Sequence, residues 1–237
     1  MLSLFVCSTV HITTYSAGSK LLTVPFTIAG FKNHYYFTNW TWNLLNLSFF
    51  LNGYLALYSD EKNEWLMRIA IVTFASSAPS NMLVSSIIKY VIWDQIRKQG
   101  GNTKNLQRSS TLIHHTINSI LAISEVALLG GIPVRMQEFS VAPLYGLVYI
   151  LFAWMTRHSY TEAKHGPQFL YFFFDTTLPG YTTSVSMICL LFVFILFYVS
   201  FCLMNLVLQD WWILGNGLGS HLVFVVLCST LLCRFRD

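Results

Sequence analysis

Long apolar stretches separated by short polar segments recur along most of the 237-residue chain. A helix needs roughly 20 residues to cross a hydrocarbon core of about 30 Å, and a spanning segment must satisfy its own backbone hydrogen bonds. The pattern therefore predicts an all-α fold, a polytopic transmembrane helical bundle in which residues 1–237 form a single domain. The predicted spans lie at 38–58, 66–93, 111–131, 140–156, 182–208 and 211–233.

Two other apolar segments are too short to be assigned as spans. The stretch at 2–16 leaves open whether the chain crosses the membrane six or seven times. The run HGPQFLYFFFDTTLPGY, residues 165–181, ends in a Pro-Gly turn. We expect a re-entrant or interfacial element at 168–181, because irregular backbone at membrane depth requires cover from protein or a cavity. An amphipathic loop on the protein surface is the alternative.

Composition supports an integral membrane protein. Apolar residues make up 54% of the chain and charged residues only 10%, whereas a soluble domain averages about 25% charged residues. The mean hydropathy is +0.55. The five cysteines include no CxxC pair, so we expect buried thiols. The expected partners are membrane lipids, and no nucleic-acid partner is expected.

The basic residues predict the orientation of the spans. Eleven lysines and arginines fall on one side of the predicted membrane, and only Lys62, Arg68 and Arg135 fall on the other. Because cytosolic loops carry an excess of basic residues, the first side should be cytosolic. Six spans would place both termini in the cytosol, and seven would place the N-terminus outside. The endoplasmic reticulum and the plasma membrane both fit such a chain.

Polar residues form a stripe within one predicted span. In TLIHHTINSILAISEVALLGG, residues 111–131, His114, Asn118 and Glu125 recur at helical spacing, and His115 lies about 100° around the helix. Ionisable groups inside a membrane are costly and usually functional, so the stripe should face the interior or a wet cavity. The alternative is that Asn118 and a protonated Glu125 only join helices by hydrogen bonds.

A second polar stripe, formed by Asn39, Asn43 and Asn46, should also point inward. Thr38 and His115 each begin a predicted span after a cytosolic loop, and Asp175 follows a span on the same basic side. These residues could therefore meet at one depth, close to the cytosolic interface.

Several kinds of active site lack support in the sequence. Seven scattered histidines do not supply a di-iron ligand set, the two last spans contain no lysine for a Schiff base, and P-loop and GxSxG motifs are missing. We expect neither a metal nor a cofactor. The remaining chemistry is a hydroxyl nucleophile, Thr38, with His115 as its base.

Three segments carry a resemblance to a known family: YFTNWTWNLLNLSFFLNGYLALYSD, HHTINSILAISE and YGLVYILFAWMTRHSYTEAKHGPQFLYFFFD. The chain resembles the androgen-induced transmembrane family, whose characterised members hydrolyse fatty acid esters of hydroxy fatty acids (FAHFAs) with a threonine nucleophile and a histidine. The family's threonine falls on Thr38 and its histidine on His115, and the ten-residue interval from His115 to Glu125 also matches. The match is loose at GPQFLYFFFD and does not extend to 211–233. An insect myoblast-fusion family has a similar TNW opening.

The resemblance implies a carboxylic ester hydrolase that passes through an acyl-threonine. Asn39 or Asn43 would donate to the oxyanion, and His114, Asn118 or Asp175 would orient the imidazole. Two alternatives stay open. A transporter or channel would carry a proton or a small polar solute along the asparagine stripe, Glu125 and a kink at Pro79. In a membrane scaffold or adhesion protein, the polar groups would only pack helices.

Overall fold

The fold is known from a computed structural model. The chain is mainly helical, but it departs from the predicted all-α fold by one β-hairpin. The chain divides into two compact units: the first comprises Met1–Trp40 and Pro143–Val193, and the second comprises Thr41–Ala142 and Phe194–Asp237. The structure describes residues 8–16, 20–28, 30–58, 63–98, 100–104, 106–130, 132–160, 169–213 and 217–236.

An antiparallel β-hairpin precedes the helices. Strand β1 (Ser8–Ser16) pairs with β2 (Lys20–Ile28), with Ser8 opposite Ile28 and Ser16 opposite Lys20. Both strands are rich in valine, threonine and isoleucine, whose branched side chains favour extended backbone. The apolar stretch noted at 2–16 is therefore a strand from Ser8 onward, while residues 2–7 lie outside the described part.

Among the described residues, four helical segments are long and apolar enough to cross a membrane. They are Glu64–Lys98, Ser109–Leu129, Met136–Met155 and Thr182–Leu208. They coincide with the predicted spans at 66–93, 111–131, 140–156 and 182–208.

The two other predicted spans are helical but do not belong to that set. Helix α1 (Phe37–Tyr58) has 22 residues, and its four asparagines make it less apolar. The segment predicted at 211–233 is divided, because its first residues belong to a longer helix and α8 (Leu218–Leu232) has only 15 residues. The number of six or seven spans therefore stays a prediction.

Two of the four long segments combine α-helix with wider π-helical turns. The first is α2 (Glu64–Ser86), π1 (Ile87–Ile92) and α3 (Trp93–Lys98). The second is α4 (Ser109–Leu112), π2 (Ile113–Ile117), α5 (Asn118–Ser124) and π3 (Glu125–Leu129). Such π-helical turns are rare in proteins, and they are often found at functional sites.

The remaining helices complete the list of regular elements. These are α6 (Val141–Met155), α7 (Thr182–Ile213) and the short 3₁₀ helices Gly30–Tyr35, Met136–Glu138 and Phe172–Phe174.

In the second unit, α2, α5 and α8 pack together. The run from Thr73 to Ser85 in α2 is buried without interruption. It includes alanine and serine at many positions, and small side chains allow helices in a membrane to approach closely. This packing positions the polar residues of α5.

In the first unit, aromatic rings make up most of the core. Tyr149 of α6 lies at its centre, with ring centroids 4.8 Å from Phe37, 5.3 Å from Trp40 and 6.0 Å from Phe174. The indole nitrogen of Trp40 donates to the His34 carbonyl at 2.7 Å. The start of α1 is thereby fixed against α6 and the segment before α7.

Candidate functional site

Thr38 is the second residue of α1 and is only 6% exposed. Its side chain shares a hydrogen bond with the Tyr171 hydroxyl, whose oxygen also accepts from the backbone N–H groups of Phe37 and Thr38. The first N–H groups of a helix have no partners within the helix. Tyr171 therefore caps α1 from a segment far away in the sequence.

A second tyrosine hydroxyl takes part in this network. The Tyr149 hydroxyl donates to the Tyr35 carbonyl at 2.8 Å and is also hydrogen-bonded to the Tyr171 hydroxyl. Thr38 is a donor to Tyr171. Burial raises the pKa of the Tyr171 phenol, which keeps the phenol protonated at neutral pH.

The surroundings of Thr38 are apolar apart from these hydroxyls. Tyr171 stacks on Phe173 with ring centroids 5.2 Å apart, and Trp40 lies 5.0 Å from Phe152. Burial raises the pKa of the nearby Tyr160 phenol to about 12. Such low-dielectric surroundings strengthen any polar contact made within them.

Asp175 is buried, and its carboxylate and carbonyl oxygens accept hydrogen bonds from residues shortly after it in the chain. Its Oδ1 accepts from the Thr177 backbone N–H at 2.8 Å and from the Thr177 hydroxyl at 2.6 Å, and Thr183 donates to its carbonyl. This Asx turn leads into α7. Phe169 and Phe174 are buried as well, whereas Tyr181 is exposed. Both the re-entrant element and the amphipathic surface loop therefore stay predictions.

In the second unit, Asn118 is fully buried and both of its amide hydrogens are used. Nδ2 donates to Asn81 Oδ1 at 2.7 Å and to the His114 carbonyl at 2.6 Å, while Oδ1 accepts from the Ser119 N–H at 2.7 Å. The bond to Asn81 joins α5 to α2. This geometry supports a packing role for Asn118 and leaves it no amide hydrogen to orient a histidine.

Side chains from neighbouring elements bind the carbonyl groups of π2. Ser85 donates to the His115 carbonyl, and the thiol of Cys233 donates to the Thr116 carbonyl at 3.6 Å. Ser85 also contacts the Ser119 hydroxyl at 2.6 Å, and Ser119 donates to the Asn81 carbonyl at 2.7 Å. The hydroxyls of Ser85 and Ser119 supply two protons for these three contacts, so one of the protons is shared between two acceptor oxygens.

The two histidines of π2 differ in their contacts. The His114 ring lies 5.7 Å from the Trp42 ring. His115 Nδ1 is buried and has no hydrogen-bond partner among the residues that the structure describes. Since buried polar atoms are nearly always paired, this nitrogen is a candidate for contact with a ligand or a transferred proton.

Glu125 is the first residue of π3 and is 2% exposed. The Asn52 amide donates to its Oε1 at 3.2 Å, and the Ile132 N–H also bonds to the carboxyl group. The prediction that the stripe of His114, Asn118 and Glu125 faces inward is therefore confirmed for Asn118 and Glu125, whereas His114 is half-buried.

The second predicted stripe does not face inward as a whole. Asn39 is half-buried, but Asn43 and Asn46 are exposed, and the Asn46 amide donates to the carbonyl of Trp42 on its own helix at 2.9 Å. The expectation is wrong for these two residues because another face of α1 packs into the second unit. The buried residues on that face are Thr41, Leu45, Ser48 and Leu55.

The predicted catalytic residues belong to different units, Thr38 to the first and His115 to the second. Their pairing stays a prediction. Sequence reasoning missed Tyr171, Asn81 and Ser85; the small polar run SSAPSN is a signal for Asn81, whereas nothing in the sequence links Tyr171 to α1. Within the described ranges, no group of three or more His, Cys, Asp or Glu side chains could hold a metal ion.

Comparisons with protein-family models, with curated proteins and with solved structures find no match to this chain. The resemblance to the androgen-induced family accordingly stays a prediction.

Proposed function

We propose that the protein is a multi-pass membrane hydrolase of lipid esters, with Thr38 as nucleophile and His115 as general base. The setting of Thr38 carries the proposal: a buried hydroxyl at the N-terminal end of a helix, among aromatic rings. A helix N-terminus favours negative charge, including the charge that develops on an attacked carbonyl oxygen. The unpartnered Nδ1 of His115 supports the second role, because a base needs an open lone pair.

In the first step His115 accepts the Thr38 proton while the threonine oxygen bonds to the ester carbonyl carbon. The tetrahedral adduct then breaks its bond to the alkoxy oxygen, which takes the proton from His115 and leaves as an alcohol. Water attacks the resulting acyl-threonine, releases a carboxylic acid and restores the hydroxyl. In the described state Thr38 donates to Tyr171, so its hydroxyl must turn toward the base when substrate binds.

The substrate class follows from the resemblance and from the surroundings of Thr38. FAHFAs have long apolar chains, which fit an aromatic wall and would enter sideways from the membrane. Asn39, half-buried one residue beyond Thr38, is better placed than the exposed Asn43 to donate to the oxyanion. The proposal includes a cytosolic depth for the site, in the endoplasmic reticulum or the plasma membrane.

Hydrolysis of a panel of fatty acid esters by the purified protein in detergent tests this proposal. Thr38→Val removes the hydroxyl at similar volume, and we expect it to lower kcat/KM by at least about a hundredfold, as should His115→Gln. Thr38→Ser should keep measurable turnover. Tyr171→Phe is the matched control, because it removes the same hydrogen bond and leaves the nucleophile. An equal loss of kcat/KM in Thr38→Val and Tyr171→Phe would mean that the Thr38 hydroxyl only supports the fold.

Glu125 supports a second candidate function, the transport of protons or a small polar solute. A buried carboxyl group in a span, paired with an amide and a backbone N–H, can bind and release a proton without a fixed counter-ion. Proton flux into liposomes should then be lost in Glu125→Gln and retained in Thr38→Val. Flux that is absent from the wild type, or unchanged in Glu125→Gln, would reject this candidate.

A further inference from the structure

Cationic side chains from separate parts of the second unit converge at one end of α8. Lys89 of π1 donates to the carbonyl oxygens of Thr230 and Leu231 at 2.7 Å each. The guanidinium of Arg234, just after α8, lies 5.1 Å from the ring centroid of Trp93 in α3. The start of α3 and the C-terminal end of α8 are therefore neighbours.

The charge at this place is strongly positive. Asp94 pairs with Lys98 at 2.7 Å and also lies within electrostatic range of Arg97 and Arg234. We define the basic cluster as Lys89, Arg97, Lys98, Arg234 and Arg236. The five cations and the Asp94 carboxylate together carry a formal charge of +4.

Part of the cluster is held in place before any ligand binds. The Arg234 guanidinium lies over the Trp93 ring, and its Nε donates to the Arg236 carbonyl at 3.2 Å. Arg236 and Lys98 are exposed. An ordered guanidinium presents a planar fork of N–H donors, which matches the oxygens of a phosphate group.

The cluster lies where lipid headgroups would be. Arg234 and Arg236 follow the apolar helix α8. Lys89, Arg97 and Lys98 lie in the last part of the long apolar segment Glu64–Lys98. Tyr90 and Phe235 nearby are 54% and 45% exposed, and aromatic residues are enriched at the membrane interface. Basic clusters next to a spanning helix attract anionic lipids.

We propose that the basic cluster binds the phosphate-bearing headgroup of an anionic phospholipid in the cytosolic leaflet. The binding site is independent of the hydrolase proposal, because Thr38 and His115 take no part in it. The lipid would hold the end of α8 against α3 in the membrane.

Binding of a fluorescent phosphatidylinositol phosphate to the full-length protein in neutral detergent tests this inference. We expect the double variant Arg234→Gln/Arg236→Gln to bind roughly 25-fold more weakly, since each cation near an anionic surface contributes about a fivefold factor. The matched control Arg68→Gln/Arg135→Gln removes the same charge from exposed positions outside the cluster. A second variant, Lys98→Gln/Arg236→Gln, changes only exposed side chains, so a folding defect is less of a concern.

Weaker binding in both cluster variants, unchanged binding in the control and a fall in affinity with added salt would support the lipid site. Equal losses in cluster and control variants would show a general charge effect and overturn the proposal. Full competition by inorganic phosphate at the same concentration as the lipid would overturn it as well, because the site would then take a soluble anion.

Discussion

Replacing Asn118 by alanine should destabilise the second unit. The change removes the donor to Asn81 Oδ1 together with the bonds to the His114 carbonyl and the Ser119 N–H. The bond between α5 and α2 is worth about 0.6 kcal/mol on average in membrane proteins, with a maximum near 1.7. Leaving the buried Asn81 oxygen without this donor costs roughly 1–3 kcal/mol more. We therefore expect a loss of about 2 kcal/mol.

Unfolding in mixed micelles of neutral detergent and dodecyl sulfate, followed by circular dichroism, measures this loss. Asn46→Ala is the matched control, because Asn46 is exposed and its amide donates to the Trp42 carbonyl of its own helix; its effect should stay within about 0.5 kcal/mol. A cycle of Asn118→Ala, Asn81→Ala and the double variant should give a coupling of about 0.6–1.7 kcal/mol. Equal effects at Asn118 and Asn46, or strict additivity in the cycle, would refute a packing role for the amide pair.

Further predictions concern single side chains. Cys233 is 5% exposed, so in a variant without other cysteines it should react with a maleimide far more slowly when folded than in dodecyl sulfate. Tyr171→Phe should lower the free energy of unfolding by about 1 kcal/mol, because the hydrogen bonds that cap α1 are lost. Tyr181→Phe, at an exposed position, should leave it unchanged. Equal unfolding temperatures of the two variants would contradict the capping role of Tyr171. Gly130 has a φ of +61° with open space around it, so Gly130→Ala should cost roughly 1 kcal/mol from backbone strain alone.

The apolar pattern predicted the long helices well because burial and membrane crossing both depend on continuous hydrophobic length. It also predicted the inward face of Asn118 and Glu125. It was wrong about Asn43 and Asn46, since an apolar helix with polar residues on several faces gives little information about which face packs. The buried face of α1 carries Thr41, Leu45, Ser48 and Leu55. Its first three residues have the same spacing as the stripe of Asn39, Asn43 and Asn46, so spacing alone could not distinguish the two faces.

The π-helical turns and the hydroxyl network could not be predicted from local pattern. The wide turn π2 is matched by donors such as Ser85 and Cys233, which come from distant parts of the chain. Likewise, Tyr171 meets α1 across more than a hundred residues. Periodicity reports which side of a helix is apolar, but it carries no information about such long-range polar pairs.

The central claim is that the Thr38 oxygen attacks an ester carbonyl. Reaction of the folded wild-type protein with a fluorophosphonate probe, followed by peptide mass mapping, tests it most directly, because the probe traps an activated hydroxyl as a covalent adduct. The account predicts an adduct on Thr38 that disappears in His115→Gln and persists in Tyr171→Phe. A folded wild-type protein that carries no adduct on Thr38 would contradict it.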